Sequence, residues 1–246
     1  VKHNKSYDTA EILASYINLS QFNSMLQPIK LLIGEQISLK TQTRLDELLR
    51  RITLGLNHNS QANTMVGLTM CYEIFNDSDK LLETTKALRK QTVVKDADDH
   101  FLVKLNAKPI KSQLRFSQYS NTLSKFSLEL LRSILAHNES LVTFANLNGF
   151  IPLMEQSLRS DNEGLLIASM KVLNLVLLLP LDEDATKRLT VCTRRVLQMF
   201  KNSPSTTSDL AQACLRYLSS VVRHQNDDID LKTSAIVYNL IKLSQD

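Results

Sequence analysis

Apolar side chains recur along this chain every three or four residues. Leu45, Leu48, Leu49, Ile52 and Leu56 fall on one helix face, as do Phe116, Tyr119, Leu123, Leu130 and Ile134, and then Leu210, Cys214, Leu218 and Val221. This is the period of an amphipathic helix. The segment 165–179 is apolar nearly all round, with Lys171 its one charge, so it predicts a helix covered on several sides. The pattern predicts helices over 8–19, 21–38, 42–57, 62–76, 78–90, 113–136, 139–147, 150–160, 163–179, 183–202, 208–223 and 229–244. Asp161, Asp182 and Ser208 each precede an apolar-periodic run and are expected N-caps. Pro180 stops the helix before it.

The helix ends repeat. Gly55-Leu56-Asn57-His58-Asn59, Ile134-Leu135-Ala136-His137-Asn138 and Val221-Val222-Arg223-His224 close three of the predicted helices, and a fourth closes at Pro180. His137 to Pro180 is 43 residues, Pro180 to His224 is 44, and His58 to His137 is 79, nearly two such units. A unit of about 40–47 residues built from helix pairs matches HEAT or armadillo repeats. The clearest unit has a first helix at 150–158, a turn at 160–163 and a second helix at 164–179, with Pro152 in the first turn where no N–H partner is needed. It lacks the arginine that second helices of HEAT repeats often carry. The expected fold is all-α, a HEAT/armadillo-like solenoid. One helix pair cannot bury its own apolar face, so neighbours must stack into an elongated body with a large binding surface.

Composition supports this reading. Only 5 Gly and 5 Pro occur in 246 residues, too few for the many turns of a β-rich fold. The stretch 91–112 breaks the helical pattern. It is acidic at Asp96, Asp98 and Asp99, strand-like over 101–105, and basic at Lys108 and Lys111. The expected organisation is therefore repeats over 1–90, an irregular charged insertion or junction at 91–112, and repeats of the same solenoid over 113–246. Cys71, Cys192 and Cys214 each sit in an apolar helical pattern and form no C-x-x-C pair, so they read as buried thiols. Val1 in first place, with polar residues after it, gives two expectations: no signal peptide, and a piece of a longer protein. The most apolar stretch, 172–179, is too short to span a bilayer and holds Asn174. No membrane partner is expected.

No phosphate-binding glycine loop, nucleophile elbow or zinc-protease motif occurs. His58, His137 and His224 lie at helix C-termini, where they meet unpaired carbonyls and the helix dipole, while a following Asn tolerates a left-handed cap. Asp96, Asp98, Asp99 and His100 fit no metal ligand ladder and read as a solvated acidic loop. No catalytic residue, cofactor, metal or small-molecule substrate is expected, and the chain is expected not to be an enzyme. The net charge of +4 and pI of about 8.9 permit a nucleic-acid partner without requiring one. The most suggestive cluster is the predicted helix 183–202. Lys187, Arg194 and Lys201 recur every seven residues on the side away from Leu189, Cys192, Val196, Met199 and Phe200, and Arg188 and Arg195 flank that core face. Five cations on one helix could grip RNA phosphates or an acidic partner. Dipole matching explains the same residues blandly, because Asp182, Glu183 and Asp184 open the helix. Further basic patches lie at Arg50 and Arg51, at Lys86, Arg89 and Lys90, and from Lys104 to Arg115.

Several stretches resemble one known family. Arg50-Arg51-Ile52-Thr53-Leu54-Gly55-Leu56-Asn57-His58-Asn59, Met70-Cys71-Tyr72-Glu73-Ile74, the segments 100–105 and 126–135, Asn146 to Leu153 and Leu173 to Leu181 look like parts of the very large HEAT-repeat subunit of the small-subunit processome, the U3 small nucleolar RNA-associated protein twenty or down-regulated-in-metastasis family. The resemblance covers about residues 40–224, and its motifs are helix-packing patterns without catalytic signatures. It implies a nucleolar, non-catalytic scaffold of the 90S pre-ribosome that supports early pre-rRNA processing and 40S assembly. It implies pre-ribosomal RNA and processome proteins as partners, and a long charged insert beside Lys108 to Arg115. The competing reading is a protein-binding adaptor, such as a solenoid like a nuclear transport receptor. A helical enzyme with an unrecognised site is a third.

Overall fold

A computed structural model describes residues 5–34, 38–78, 121–203 and 205–224, and every regular element among them is a helix. The expected insertion at 91–112, the helices expected at 78–90 and 229–244, His3, His100 and the basic residues from Lys86 to Arg115 lie outside the described residues. The chain divides into two compact units, 1–127 and 128–246.

In the first unit, α1 runs Lys5–Tyr16, α2 Leu19–Gly34, α3 Leu39–Asn57 and α4 65–78, and α5, Thr122–His137, begins here. α2 buries Phe22, Leu26, Ile29 and Ile33, and α3 buries Leu45, Leu49, Ile52 and Leu56. Both sets follow the same three-and-four spacing. Ser38 caps α3 by accepting from the Thr41 N–H at 3.2 Å, so the helix starts at Leu39, three residues before the expected 42. Half-buried Lys30 ties α2 to α4 through Asp77 at 2.9 Å. Ser124 Oγ donates to Ser78 Oγ at 2.9 Å and Ser127 Oγ to the Cys71 carbonyl at 2.6 Å, which pegs the start of α5 to α4 inside the core.

α1 is held by one line of α3. Arg51, Gly55 and Asn59 stand four residues apart, so they follow one another along a helix face. Arg51 pairs with Glu11 at 2.8 Å. At Gly55 the backbones nearly touch: a Cβ there would lie 2.1 Å from the Glu11 carbonyl oxygen and 2.8 Å from the Ala14 Cβ. Asn59, buried just past the helix end, donates from Nδ2 to the carbonyls of Ala14 (3.1 Å) and Ile17 (2.8 Å), and its Oδ1 accepts from the Gln61 N–H at 3.0 Å. Gln61 Oε1 then accepts from the Leu19 N–H at 3.2 Å, the first residue of α2. The orphan carbonyls of one helix and an orphan N–H of the next are satisfied by a single turn. This corrects the expectation of left-handed caps: no described residue has positive φ. Asn59 acts through its side chain, and Asn138 accepts from the Ser140 N–H to open a 3₁₀ turn.

In the second unit the expected helix at 139–147 is broken. A 3₁₀ turn, Glu139–Leu141, leads to the one-turn α6, Phe144–Leu147, and a second 3₁₀ turn, Asn148–Phe150. The short α7, Ile151–Ser157, carries Pro152 in its first turn. α8 spans Glu163–Val176, capped by Asn162, which accepts from the Leu165 N–H at 2.9 Å, and not by Asp161. It buries Leu165, Leu166, Ala168, Ser169, Met170, Val172, Leu173 and Val176, so its near-continuous apolar sequence is used on several sides. The helix ends three residues before the expected 179, because the chain already turns at Leu177–Leu179. α9 spans Glu183–Lys201, capped by Asp182 at 2.7 Å from the Ala185 N–H, and α10 spans Asp209–His224, with Ser208 Oγ accepting from the Ala211 N–H at 3.2 Å. α7 packs on α8 and α9, and α10 on α8 and α9.

Gly55→Ala should force α1 off α3, a clash of the kind that costs about 1–3 kcal/mol. Asn59→Ala strands two carbonyls and should cost a similar amount, about 1–3 kcal/mol. In urea unfolding both midpoints fall, and the double variant loses less than the two single losses together, because α1 undocks once. Unchanged midpoints would mean that α1 is not held by this line.

Candidate anionic-partner interface

The five cations singled out on α9 do not form one set. The helix buries Ala185, Leu189, Cys192, Thr193, Val196, Leu197 and Phe200, while Met199 is half-exposed. Arg188 and Arg195 lean toward α7. Arg188 Nη1 donates to Glu155 Oε2 at 3.2 Å and its Nε to Asp184 Oδ2 at 3.0 Å. Arg195 Nε donates to the Leu158 carbonyl at 3.1 Å, at the C-terminal end of α7 where carbonyls lack helical partners. These two arginines are fasteners between helices. The first cause of the upward shift of the Arg188 guanidinium is its hydrogen bond to Asp184, followed by the charge of that carboxylate. Lys187 pairs with Glu183 at 2.6 Å, but both side chains are largely in water, where such a pair contributes little.

Arg194 and Lys201 are exposed and make no ion pair among the described residues. Seven helical residues put them about 10 Å apart along the helix. α10 adds two cations that the sequence reading passed over. Arg216 and Arg223, also seven apart, are exposed on the side away from Ala211, Cys214, Leu218 and Val221, and they too make no ion pair among the described residues. The same seven-residue spacing that singled out α9 was the signal available for them. Together α9 and α10 carry seven Lys and Arg against three Asp and Glu.

The other basic patch within the described residues is already occupied. Arg50 pairs with Glu47 at 2.7 Å, and Arg51 with Glu11, Glu47 and, at 3.6 Å, Asp8. The hydrogen bond from Arg50, then that from Arg51, lowers the Glu47 carboxyl to about 2. His58 and His137 end their helices as expected: the His58 N–H donates to the Gly55 carbonyl, and His137 Nδ1 lies 2.8 Å from the Ser133 carbonyl. An open groove of about 550 Å³ in the first unit is lined by Asn18, Leu19, Gln61, Val66, Met70 and Glu73 among others, and contains none of the sequence-predicted site residues. Among the described residues no three His, Cys, Asp or Glu are grouped to hold a metal ion, and no helix is long and apolar enough to cross a membrane.

The three thiols are buried. Burial raises the thiol of Cys192 to about 12 and that of Cys214 to about 11, and raises Cys71 as well. The buried Tyr217 hydroxyl, also raised by burial, meets Thr193 Oγ1 at 3.2 Å between α9 and α10.

These features define an all-helical protein whose outward chemistry is charge on helix faces. Residues 1–75 match the model of the U3 small nucleolar RNA-associated protein 20 domain, a stretch that takes in α1, α2, α3 and most of α4. The whole chain aligns with the U3 small nucleolar RNA-associated protein 20 of Saccharomyces cerevisiae at 38% identity over 249 residues, and with that of Schizosaccharomyces pombe at 32% over 247 residues. It spans 10% and 9% of the lengths of those relatives. The chain belongs to the U3 small nucleolar RNA-associated protein 20 family.

Two outcomes are expected here. Cys71, Cys192 and Cys214 stay unmodified by a thiol alkylator in the folded protein and react together on unfolding, since the buried thiols cannot form thiolates at neutral pH; early labelling of any one, read by mass spectrometry, would mark a local opening. Glu47 gives an acid dependence. Its folded pKa is depressed, so its contribution is present above the ordinary carboxyl value of 4.5 and is lost as pH falls toward about 2. Glu47→Gln should flatten the loss of stability over that window, measured by thermal unfolding at stepped pH.

Proposed function

We propose that this chain is a non-catalytic stretch of a HEAT-like helical-repeat scaffold that works in the nucleolus, in the small-subunit processome. It supports early pre-rRNA processing and 40S subunit assembly. The observation that carries this reading is the alignment of all 246 residues with two proteins named as U3 small nucleolar RNA-associated. The packed pair α7 and α8, followed by α9 and α10, supports the repeat architecture, because each pair leaves an apolar face for its neighbour.

The partners proposed are pre-ribosomal RNA and processome proteins. Arg194 and Lys201, with Lys187 beside them, are the proposed anionic contact on α9. They are free to exchange water and counterions for phosphate, whereas Arg188 and Arg195 are already engaged within the fold.

The test is to isolate the full-length parent protein from cells with its crosslinked RNA and associated proteins. Recovery of pre-ribosomal RNA is the expected result. Recovery of transport cargo without ribosomal RNA would favour a protein-only adaptor and overturn the reading. Within the parent protein, the double variant R194E/K201E should weaken RNA binding and shallow its dependence on salt by about one unit of log–log slope or more, since each lost phosphate contact removes roughly 0.7–0.9. Its thermal unfolding should be unchanged. Arg188→Ala should do the reverse, lowering stability and leaving the salt slope alone. An unaltered salt slope in R194E/K201E would remove these two residues from the interface.

A further inference from the structure

Thr193 and Tyr217 set the register of α9 against α10. Their hydroxyls meet at 3.2 Å, eight residues before the end of α9 at Lys201 and eight after the start of α10 at Asp209. The loop 202–208 joins those two ends, so the helices run antiparallel and equal steps from this contact reach equal levels. Arg194 follows Thr193 and Arg216 precedes Tyr217, so the two arginines stand at one level. One residue turns about 100° around a helix, and because the helices point in opposite directions both turns swing to the same flank of the pair. Seven residues further from the loop, Lys187 and Arg223 stand opposite each other in the same way. The four cations mark a rectangle, about 10 Å along the helices and about 8–10 Å between them, the usual separation of packed helix axes. All four are exposed. Among the described residues only Lys187 has an ion pair, with Glu183 in water, and such a pair gives way readily to phosphate. The carboxylates Glu183, Asp184 and Asp209 sit in first turns, outside the span of the two rows. Phe200 and Tyr217, the aromatic residues of these helices, are both buried.

We propose that this flank of α9 and α10 holds duplex RNA, with Lys187 and Arg194 on the phosphates of one strand and Arg216 and Arg223 on those of the other. The proposal rests on the reading that the parent protein binds RNA, and it names the form of RNA that this surface takes. The deep, narrow major groove of A-form RNA brings the phosphates of its two strands close together, and two parallel rows of cations can straddle it. A single strand would engage one row and leave the other without phosphate. Single strands are also held by stacking their bases on aromatic rings, and α9 and α10 expose none. Lys201, a further seven residues along, continues the α9 row.

The test places a photo-crosslinking benzoylphenylalanine at Val191 of the full-length parent protein. Val191 is 48% exposed and lies four residues after Lys187 and three before Arg194, so it neighbours both on the helix surface. The probes are an RNA duplex of about 16 base pairs, the span that a double-strand reader covers, and one of its strands alone. Irradiation should capture the duplex roughly tenfold more than the single strand, and R216E/R223E, on the other helix, should lower the duplex yield roughly tenfold. Thermal unfolding of that variant should match the unaltered protein, because both arginines are exposed. Equal capture of the single strand, or a duplex yield that survives R216E/R223E, would overturn the proposal and leave the recovery of pre-ribosomal RNA from cells untouched. Capture of an acidic protein in place of RNA, in particles isolated from cells, would overturn it as well. Absence of pre-ribosomal RNA from the cellular recovery is a separate failure, that of the functional reading.

Discussion

The first unit depends on how closely two helix backbones can approach. At Gly55 the absence of a side chain lets α3 come against the Glu11 carbonyl, and that distance sets everything around it. It admits only alanine from α1 on the inner side. It brings the end of α1 within reach of Asn59, whose amide bonds the last carbonyls of that helix while its oxygen orders the next turn. It also puts Arg51 beside Glu11. These are unequal contributions. The ion pair is partly in water and worth little by itself, whereas leaving two carbonyls unsatisfied in a buried corner carries a full desolvation cost. Shape comes first here, hydrogen bonding second and charge third.

The second unit reaches its order differently. α8 is so apolar that it needs cover from more than one helix, and α7 and α10 both lie against it. Thr193 Oγ1, buried between α9 and α10, donates to the Leu189 carbonyl at 2.8 Å and accepts from the Tyr217 hydroxyl, which allows a polar pair where the sequence pattern reads as core. Arg195 serves the short helix α7, which ends at Leu158 with carbonyls that its own seven residues cannot satisfy.

Much of this was legible in the amino-acid sequence, for a physical reason. The helical period is a property of each segment alone, so the faces of α3, α9 and α10 could be read directly. The caps at Asp182 and Ser208 could also be read, since a capping side chain acts within three residues of itself. What depends on distant residues could not. Nothing local says that Asn59 reaches across to Ala14, so a left-handed cap was the natural expectation. Asp161 and Asn162 are both good caps, and only the backbone path chooses between them. Among the five cations of α9 the spacing was legible but the division was not, because whether an arginine is free depends on a carboxylate or carbonyl in another helix. The break of 139–150 into single turns was hidden too, since Leu141, Leu147 and Phe150 keep a helix-like spacing while pointing into the core.

That division of the cations on α9 gives its positions different tolerances. Arg195 spans the gap to α7 with the planar, directional N–H of a guanidinium, and Arg188 makes bonds to two carboxylates from two of its nitrogens. An ammonium group reproduces neither geometry. Arg194 and Lys201 act, if they meet phosphate, as charges whose exact shape matters less. A change of arginine to lysine would therefore be felt as a structural lesion at 188 and 195 and pass almost unnoticed at 194, although all three are the same residue on the same helix.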